Sequence, residues 1–107
     1  MAVDPITFEV IKHRLLQIND EQGITIKTLS SSPIVVEGND FNVGLFTASG
    51  DIAVAGPYVL THVTTMDYII KTIIAETDPA EIRDGDVFLV NDPYMGALHQ
   101  NDVAFLA

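Results

Sequence analysis

The chain has 107 residues, enough for one modest domain spanning residues 1–107, and its 48% hydrophobic and 19% charged residues are typical of a packed globular protein. Fifteen acidic residues against five basic ones give a formal net charge of -10, which opposes binding to nucleic acid or to an anionic membrane surface. The absence of cysteine excludes disulfides, a thiolate nucleophile and a cysteine-based zinc site. Because no apolar run is long enough for a membrane span and no secretory signal opens the sequence, we expect a soluble, cytoplasmic protein.

The first predicted element is a long helix over about residues 5–30. Asp4 is a favoured N-cap residue, and Pro5 fits the first turn because its missing N–H has no helical partner to lose. Apolar residues then recur at helical spacing as far as Leu29. The segment Ser30-Ser31-Ser32-Pro33 ends the helix, since Pro33 pushes the residue before it into an extended conformation.

Beyond this helix, the spacing of apolar residues predicts short strands and one further helix. After the β-branched run at residues 34–36, two apolar runs at 41–47 and 51–55 flank a turn in which Gly50 is placed for a positive φ, so they predict a β-hairpin. A second helix is predicted from about His62 to Glu76, then a buried strand at 86–90 and another at 102–107. We expect an α+β (or α/β) fold with mainly antiparallel strands.

The last predicted strand runs to the final residue without a turn or polar tail, which native domains rarely allow. We therefore expect a truncated part of a larger domain. An uncovered strand edge and an uncovered apolar face on the second helix would invite self-association, so we also expect a homo-oligomer.

His99 and Asp102 are the strongest candidates for chemistry in the sequence. An imidazole and a carboxylate three residues apart can reach one point in space, and this donor pair suits Mn, Fe or Zn better than Ca or Mg. Two ligands do not complete a site, so at least one more is required. From spacing alone a structural role for His99 is favoured over metal binding, because a His and an Asp three residues apart are common by chance.

The remaining candidates are less specific. His62 lies where a loop enters the second helix, as a capping or hydrogen-bonding residue or as a contact to the site. Asp92 follows a predicted strand and could act in acid/base catalysis, as could Asp84 and Asp86, which flank a turn glycine and are more simply solvated. No phosphate-binding glycine motif is present, so any nucleotide chemistry must come from another chain or further sequence.

Several of these segments together resemble the N-terminal part of the hydantoinase B/oxoprolinase family. The opening Asp-Pro-Ile-Thr-Phe-Glu-Val-Ile-Lys-His-Arg-Leu is similar to its first helix, and the segments at 32–50 and 61–66 resemble its first hairpin and its His-x-x-Ser-Met motif. The most specific likeness is Gly-Asp-Val-Phe-Leu-Val-Asn-Asp-Pro-Tyr at 85–94, followed by His99-x-x-Asp102. The family includes N-methylhydantoinase B-type proteins and the large subunits of acetone and acetophenone carboxylases.

The resemblance implies a division of labour between two proteins. A hydantoinase A-type subunit would bind ATP and phosphorylate the substrate, and the B-type part would complete ring opening of a cyclic amide or carboxylation of a ketone. His99 and Asp102 would be two ligands of a divalent metal, Mn or Zn, with a further His ligand downstream. This sequence has Gly-Ala-Leu-His-Gln-Asn-Asp at 96–102, where hydantoinase-like members usually have Gly-Gly-Thr-His-Leu-Pro-Asp. Because of this difference, the resemblance does not identify the substrate. The alternative function is a non-catalytic assembly domain without metal.

Overall fold

The structure is a computed structural model that describes residues 3–107, and its mixed helices and antiparallel strands confirm the α+β class. Its elements in chain order are α1 (Pro5–Leu29), α2 (Pro33–Val36), β1 (Gly44–Phe46), β2 (Ile52–Ala55), α3 (Leu60–Glu76), β3 (Phe88–Val90), a single 3-10 turn (Pro93–Met95) and β4 (Ala104–Leu106). Both predicted long helices are present with bounds within two residues of those expected. None of the helices in this part of the chain is both long and apolar enough to cross a membrane.

Helix α1 begins and ends where the sequence predicts. The carboxylate of Asp4 accepts hydrogen bonds from the backbone N–H groups of Ile6 and Thr7, at 3.1 and 3.0 Å. Hydrogen bonding to Thr7 is the main reason that the pKa of the Asp4 carboxyl lies below its usual value. At the other end, Ser30 is extended, with φ -73° and ψ 138°, and the helix stops.

Helix α1 contacts the rest of the chain through a small polar patch. Asn19 and Gly23 are its only buried residues in the described part of the chain. The Asn19 side-chain amide donates a 2.7 Å hydrogen bond to the carbonyl of Gly56. The ring of Tyr58 lies so close to Gly23 that a Cβ there would collide with it. The ring of Tyr58 also stacks on Phe41, with centroids 4.1 Å apart, which ties α1 to the hairpin region.

The β-hairpin is confirmed and the β-branched run before it is helical. Residues 34–36 form α2 because Pro33 takes the first helical position, while Ser32 before it is extended. Strands β1 and β2 pair antiparallel with one register shift. Gly50 in their turn has φ +84°, the left-handed conformation that glycine adopts without steric cost.

A two-stranded ribbon, β3 with β4, covers the apolar face of α3. The ribbon pairs Phe88 with Leu106 and Val90 with Ala104, and the inward side chains pack on Ile69 and Ile73. The expectation that this helix face is uncovered is therefore wrong, because a strand pairing that local patterns do not reveal covers it. The strand expected at 86–90 is present as β3, but it is buried only on the side that faces α3, since alternate side chains point outward and Leu89 is 61% exposed.

The ribbon loop, residues 91–103, rests with its backbone directly on α3. Gly96 in this loop has φ +110°, and a Cβ there would lie 2.7 Å from Ile69 Cγ1 and 2.9 Å from Tyr68 Cδ1. Both atoms are too close for any residue larger than glycine. The following residue, Ala97, is buried. The loop path across the helix therefore depends on glycine at position 96.

We predict that Gly96→Ala lowers the free energy of unfolding by about 2–4 kcal/mol, because the new methyl group is both strained and overpacked. The matched control is Gly85→Ala, where φ is +91° but a Cβ would meet no atom within 4 Å. Gly85→Ala should lower the free energy of unfolding by about 1–2 kcal/mol, which is the cost of backbone strain without overpacking. Urea unfolding of both variants measures the difference, and equal losses would show that close packing at Gly96 contributes nothing.

An ion pair links the hairpin turn to α3. The ammonium of Lys71 lies 2.8 Å from Asp51 Oδ1 and 3.4 Å from Asp67 Oδ2. The hydrogen bond from Lys71 is the main reason that the pKa of the Asp51 carboxyl is lowered, and Ser49 adds a second. Because the folded pKa is depressed, the stabilisation is present above the unfolded pKa and is lost as the pH falls through the folded one.

We predict that Lys71→Met raises the pKa of the Asp51 carboxyl toward its model-peptide value of 3.8. Carboxyl carbon shifts followed by NMR during an acid titration measure this change directly. The control is Lys12→Met, which removes a lysine paired with Glu9 on α1. An unchanged Asp51 titration in the Lys71 variant would contradict the role of this ion pair.

Candidate functional site

His62 lies in the first turn of α3, at one end of the face that the ribbon and its loop cover. Ile69 and Ile73 follow it by seven and eleven residues, so the three residues share one side of the helix. The His62 backbone N–H donates to the carbonyl of Val59, and its own carbonyl accepts a 3.3 Å hydrogen bond from Thr65 Oγ1. The imidazole is 21% exposed, and its Nε2 points toward the ribbon loop.

Asp102 lies near the C-terminal end of the ribbon loop and contacts two histidines. Its backbone N–H donates to the carbonyl of His99 at 3.0 Å, which closes a turn. This turn places Asp102 Oδ1 3.3 Å from His99 Nδ1. The other carboxylate oxygen, Oδ2, lies 3.9 Å from His62 Nε2. The structure therefore brings three of the candidate residues together: His62, His99 and Asp102.

The carboxylate of Asp102 is incompletely satisfied. Its Oδ2 atom is buried and has no hydrogen-bond partner in residues 3–107, since 3.9 Å to His62 is beyond hydrogen-bonding distance. A buried, unpaired polar atom costs about 1–3 kcal/mol, and more when it is charged. This cost is removed when a cation or a proton donor approaches Oδ2. The arrangement is thus suited to receive a positive charge beside Asp102.

The donor set fits a transition-series ion but is incomplete. One imidazole and one carboxylate are ligands that Mn, Fe and Zn accept. Within the described residues, however, no cluster of three or more His, Cys, Asp or Glu side chains is arranged to hold a metal. His99, which is 64% exposed, and Asp102 can therefore provide two ligands, with His62 on the opposite side of the carboxylate.

Asp92, another candidate, lies at the other end of the ribbon loop. Its side chain accepts a 2.9 Å hydrogen bond from the backbone N–H of Tyr94, and its carbonyl accepts from Met95 and Ala97. These contacts make Asp92 the cap of the 3-10 turn. Across residues 3–107, no hydrogen bond or ion pair joins Asp92 to His62 or Asp102. Its catalytic assignment stays a prediction.

Gly96 is the residue that sequence reasoning missed. No chemical role singles it out in the sequence, yet its backbone lies against Ile69 and positions the loop that carries His99 and Asp102. The available signal was its place in the segment Tyr-Met-Gly-Ala-Leu-His, just after the predicted strand and Asp92-Pro93. A positive φ is needed there because Gly96 ends the 3-10 turn in the left-handed conformation.

Sequence comparisons relate this chain to a known protein family. The sequence model of the hydantoinase B/oxoprolinase family matches residues 4–107. An uncharacterized protein of Methanocaldococcus jannaschii is 30% identical over 106 residues, covering 97% of this chain and 19% of that protein. The 5-oxoprolinase of Saccharomyces cerevisiae is 29% identical over 106 residues, covering 99% of this chain and 8% of the yeast protein.

A third relative extends the comparison to carboxylases. The acetophenone carboxylase delta subunit of Aromatoleum aromaticum is 35% identical over 100 residues, which are 94% of this chain and 14% of that subunit. The chain thus spans less than a fifth of the length of each of these relatives. No solved structure matches it significantly. With its family model matched from residue 4 to residue 107, the chain belongs to the hydantoinase B/oxoprolinase family.

Proposed function

We propose that this chain provides part of a divalent-metal site in a hydantoinase B-type enzyme, which opens a cyclic amide or carboxylates a ketone. The observation that carries the proposal is the convergence of His99 and His62 on Asp102, whose Oδ2 atom is buried without a partner. Relatives that bear the names 5-oxoprolinase, acetone carboxylase and acetophenone carboxylase support both reaction classes.

In this proposal, His99 and Asp102 hold the metal, which would be Mn or Zn. When bound, the metal supplies a Lewis acid that polarises an oxygen of the substrate. His62 faces the other oxygen of Asp102 and restrains the orientation of the carboxylate. Residues that contact metal ligands commonly orient them in this way. The remaining ligand comes from polypeptide outside residues 1–107.

The proposal includes an ATP-using partner of the hydantoinase A type. This sequence contains no phosphate-binding glycine motif, so activation of the substrate by phosphorylation is assigned to another subunit or domain. Phosphorylation converts a poor amide or ketone electrophile into a reactive one, which the metal-bearing part then processes. Because ATP is the energy source, we place the protein in the cytoplasm.

An assembly domain without metal is the second candidate function. The same contact between His62 and Asp102 that restrains a ligand also ties the ribbon loop to α3. A small movement of the imidazole would close the 3.9 Å gap to a hydrogen bond and satisfy Oδ2 with a proton instead of a metal. Metal binding distinguishes the two functions.

We predict that Mn²⁺ binds this chain weakly and locally, because only two ligands are present. Paramagnetic broadening of backbone amide signals in NMR should begin around residues 99–102. His99→Ala and Asp102→Asn should each reduce the affinity at least about tenfold, since the first removes a proposed ligand and the second removes the negative charge of the other. Zn²⁺ titration followed by the same signals tests the second metal.

The matched control is His13→Ala, which removes an imidazole that is 73% exposed beside Glu9 on α1. This variant should retain the broadening around residues 99–102 unchanged. Broadening spread over the acidic surface, or unaffected by His99→Ala, would contradict the metal site. In that case the assembly function would remain.

We further predict that Asp92→Ala lowers the free energy of unfolding by about 0.5–1 kcal/mol, while Asp92→Asn loses less because asparagine also caps a helical turn. Urea unfolding measures both variants. In an active enzyme that contains this segment, the Asn variant separates the two roles of Asp92. Retained turnover assigns a structural cap, and lost turnover with unchanged stability assigns a catalytic carboxylate.

A further inference from the structure

The ribbon presents apolar side chains on both of its faces. Inward-facing residues of β3 and β4 pack on Ile69 and Ile73, whereas a second set points away from the body of the chain. Leu89 and Phe105 are directly paired across the two strands and are 61% and 70% exposed. Val87 and Val103, next to the strand starts, are 61% and 48% exposed. We call these four residues the outer face.

An apolar outer face is unusual on a ribbon that borders water. Two-stranded antiparallel sheets that face solvent alternate apolar and polar residues, but Val87 to Val90 and Val103 to Leu106 are apolar throughout. Continuous apolar strands are typical of sheets covered on both sides. In addition, neither outer edge of the ribbon pairs with a further strand within residues 3–107. The outer face therefore has the composition of an interior surface.

The occupant of the outer face follows from the comparisons and from charge. The three relatives match at least 94% of this chain, but the match covers only 8–19% of each relative's own length. In these proteins the same segment is therefore part of a much longer polypeptide. A second copy, which the homo-oligomer expected from the sequence would place here, must also overcome the repulsion between two chains that each carry a net charge of -10. The core of the described residues is also small, with six buried hydrophobic residues.

We propose that the outer face packs against the polypeptide that lies outside the matched segment in hydantoinase B-type proteins. Leu89 and Phe105 form the centre of this contact and Val87 and Val103 its margins. The inference is independent of the proposed metal chemistry, since it concerns the opposite side of the ribbon from α3. It depends only on the membership of the family and on the exposure of these four residues.

The test uses a chimera in which residues 4–107 replace the matching segment of the Methanocaldococcus jannaschii relative. Leu89→Asp with Phe105→Asp should lower its unfolding midpoint by at least about 5 °C, because two charges would enter an apolar contact. The matched control, Leu89→Met with Phe105→Leu, keeps the face apolar and should shift the midpoint by less than about 2 °C. In the 107-residue chain the Asp pair should have little effect.

Three results would overturn the proposal. The first is a chimera that tolerates the Asp pair as well as the control pair. The second is a chimera that fails to fold although the unaltered relative folds. The third is a dimer of the 107-residue chain in light scattering that the Asp pair converts to a monomer, since this would assign the face to a second copy. None of these results bears on Mn²⁺ binding at residues 99–102, so failure here is distinguishable from failure of the proposed function.

Discussion

The close approach of Gly96 to α3 is the contact on which the candidate site depends. It fixes the ribbon loop against Ile69, and His62 lies two turns earlier on the same helix face, about 10 Å away along the axis. The segment from Gly96 to Asp102 covers this distance, and the turn from His99 to Asp102 at its end brings the carboxylate to the imidazole of His62. A side chain at position 96 would lift the loop and separate Asp102 from His62. The site is therefore built by packing of backbone on a helix rather than by the spacing of its polar residues.

The features that the sequence predicts well are those with local causes. The cap at Asp4 and the stop at Ser30 determine the bounds of α1 through contacts within a few residues. The hairpin turn follows from the positive φ of Gly50. The covering of α3 is different, because β3 and β4 pair across a loop and then pack on a helix that precedes both. Neither contact produces a local sequence pattern, so the sequence alone predicts that the apolar face of α3 is uncovered.

The same distinction applies to the site. His99 and Asp102 are joined by a turn within three residues, so their proximity could be predicted from spacing. The contact between Asp102 and His62 joins residues forty positions apart and needs the ribbon, the loop and α3 in place together. In the sequence, Asp92 is a candidate for acid/base catalysis and Asp102 a candidate metal ligand, and both lie between the two predicted strands or at their ends. The structure gives them different contacts. The Asp92 carboxylate caps the 3-10 turn that follows it, whereas the Asp102 carboxylate faces His62 on α3.

The outer face and the candidate site are mechanically linked through β4. This strand begins two residues after Asp102, and Val103 between them belongs to the outer face. Polypeptide packed on Leu89 and Phe105 would hold β4 at a fixed position and thereby restrain the carboxylate that precedes it. Restraint of β4 reduces the conformational freedom of the end of the loop that carries Asp102. Covering the ribbon would therefore order this part of the loop, and it neither supplies nor removes a proposed metal ligand.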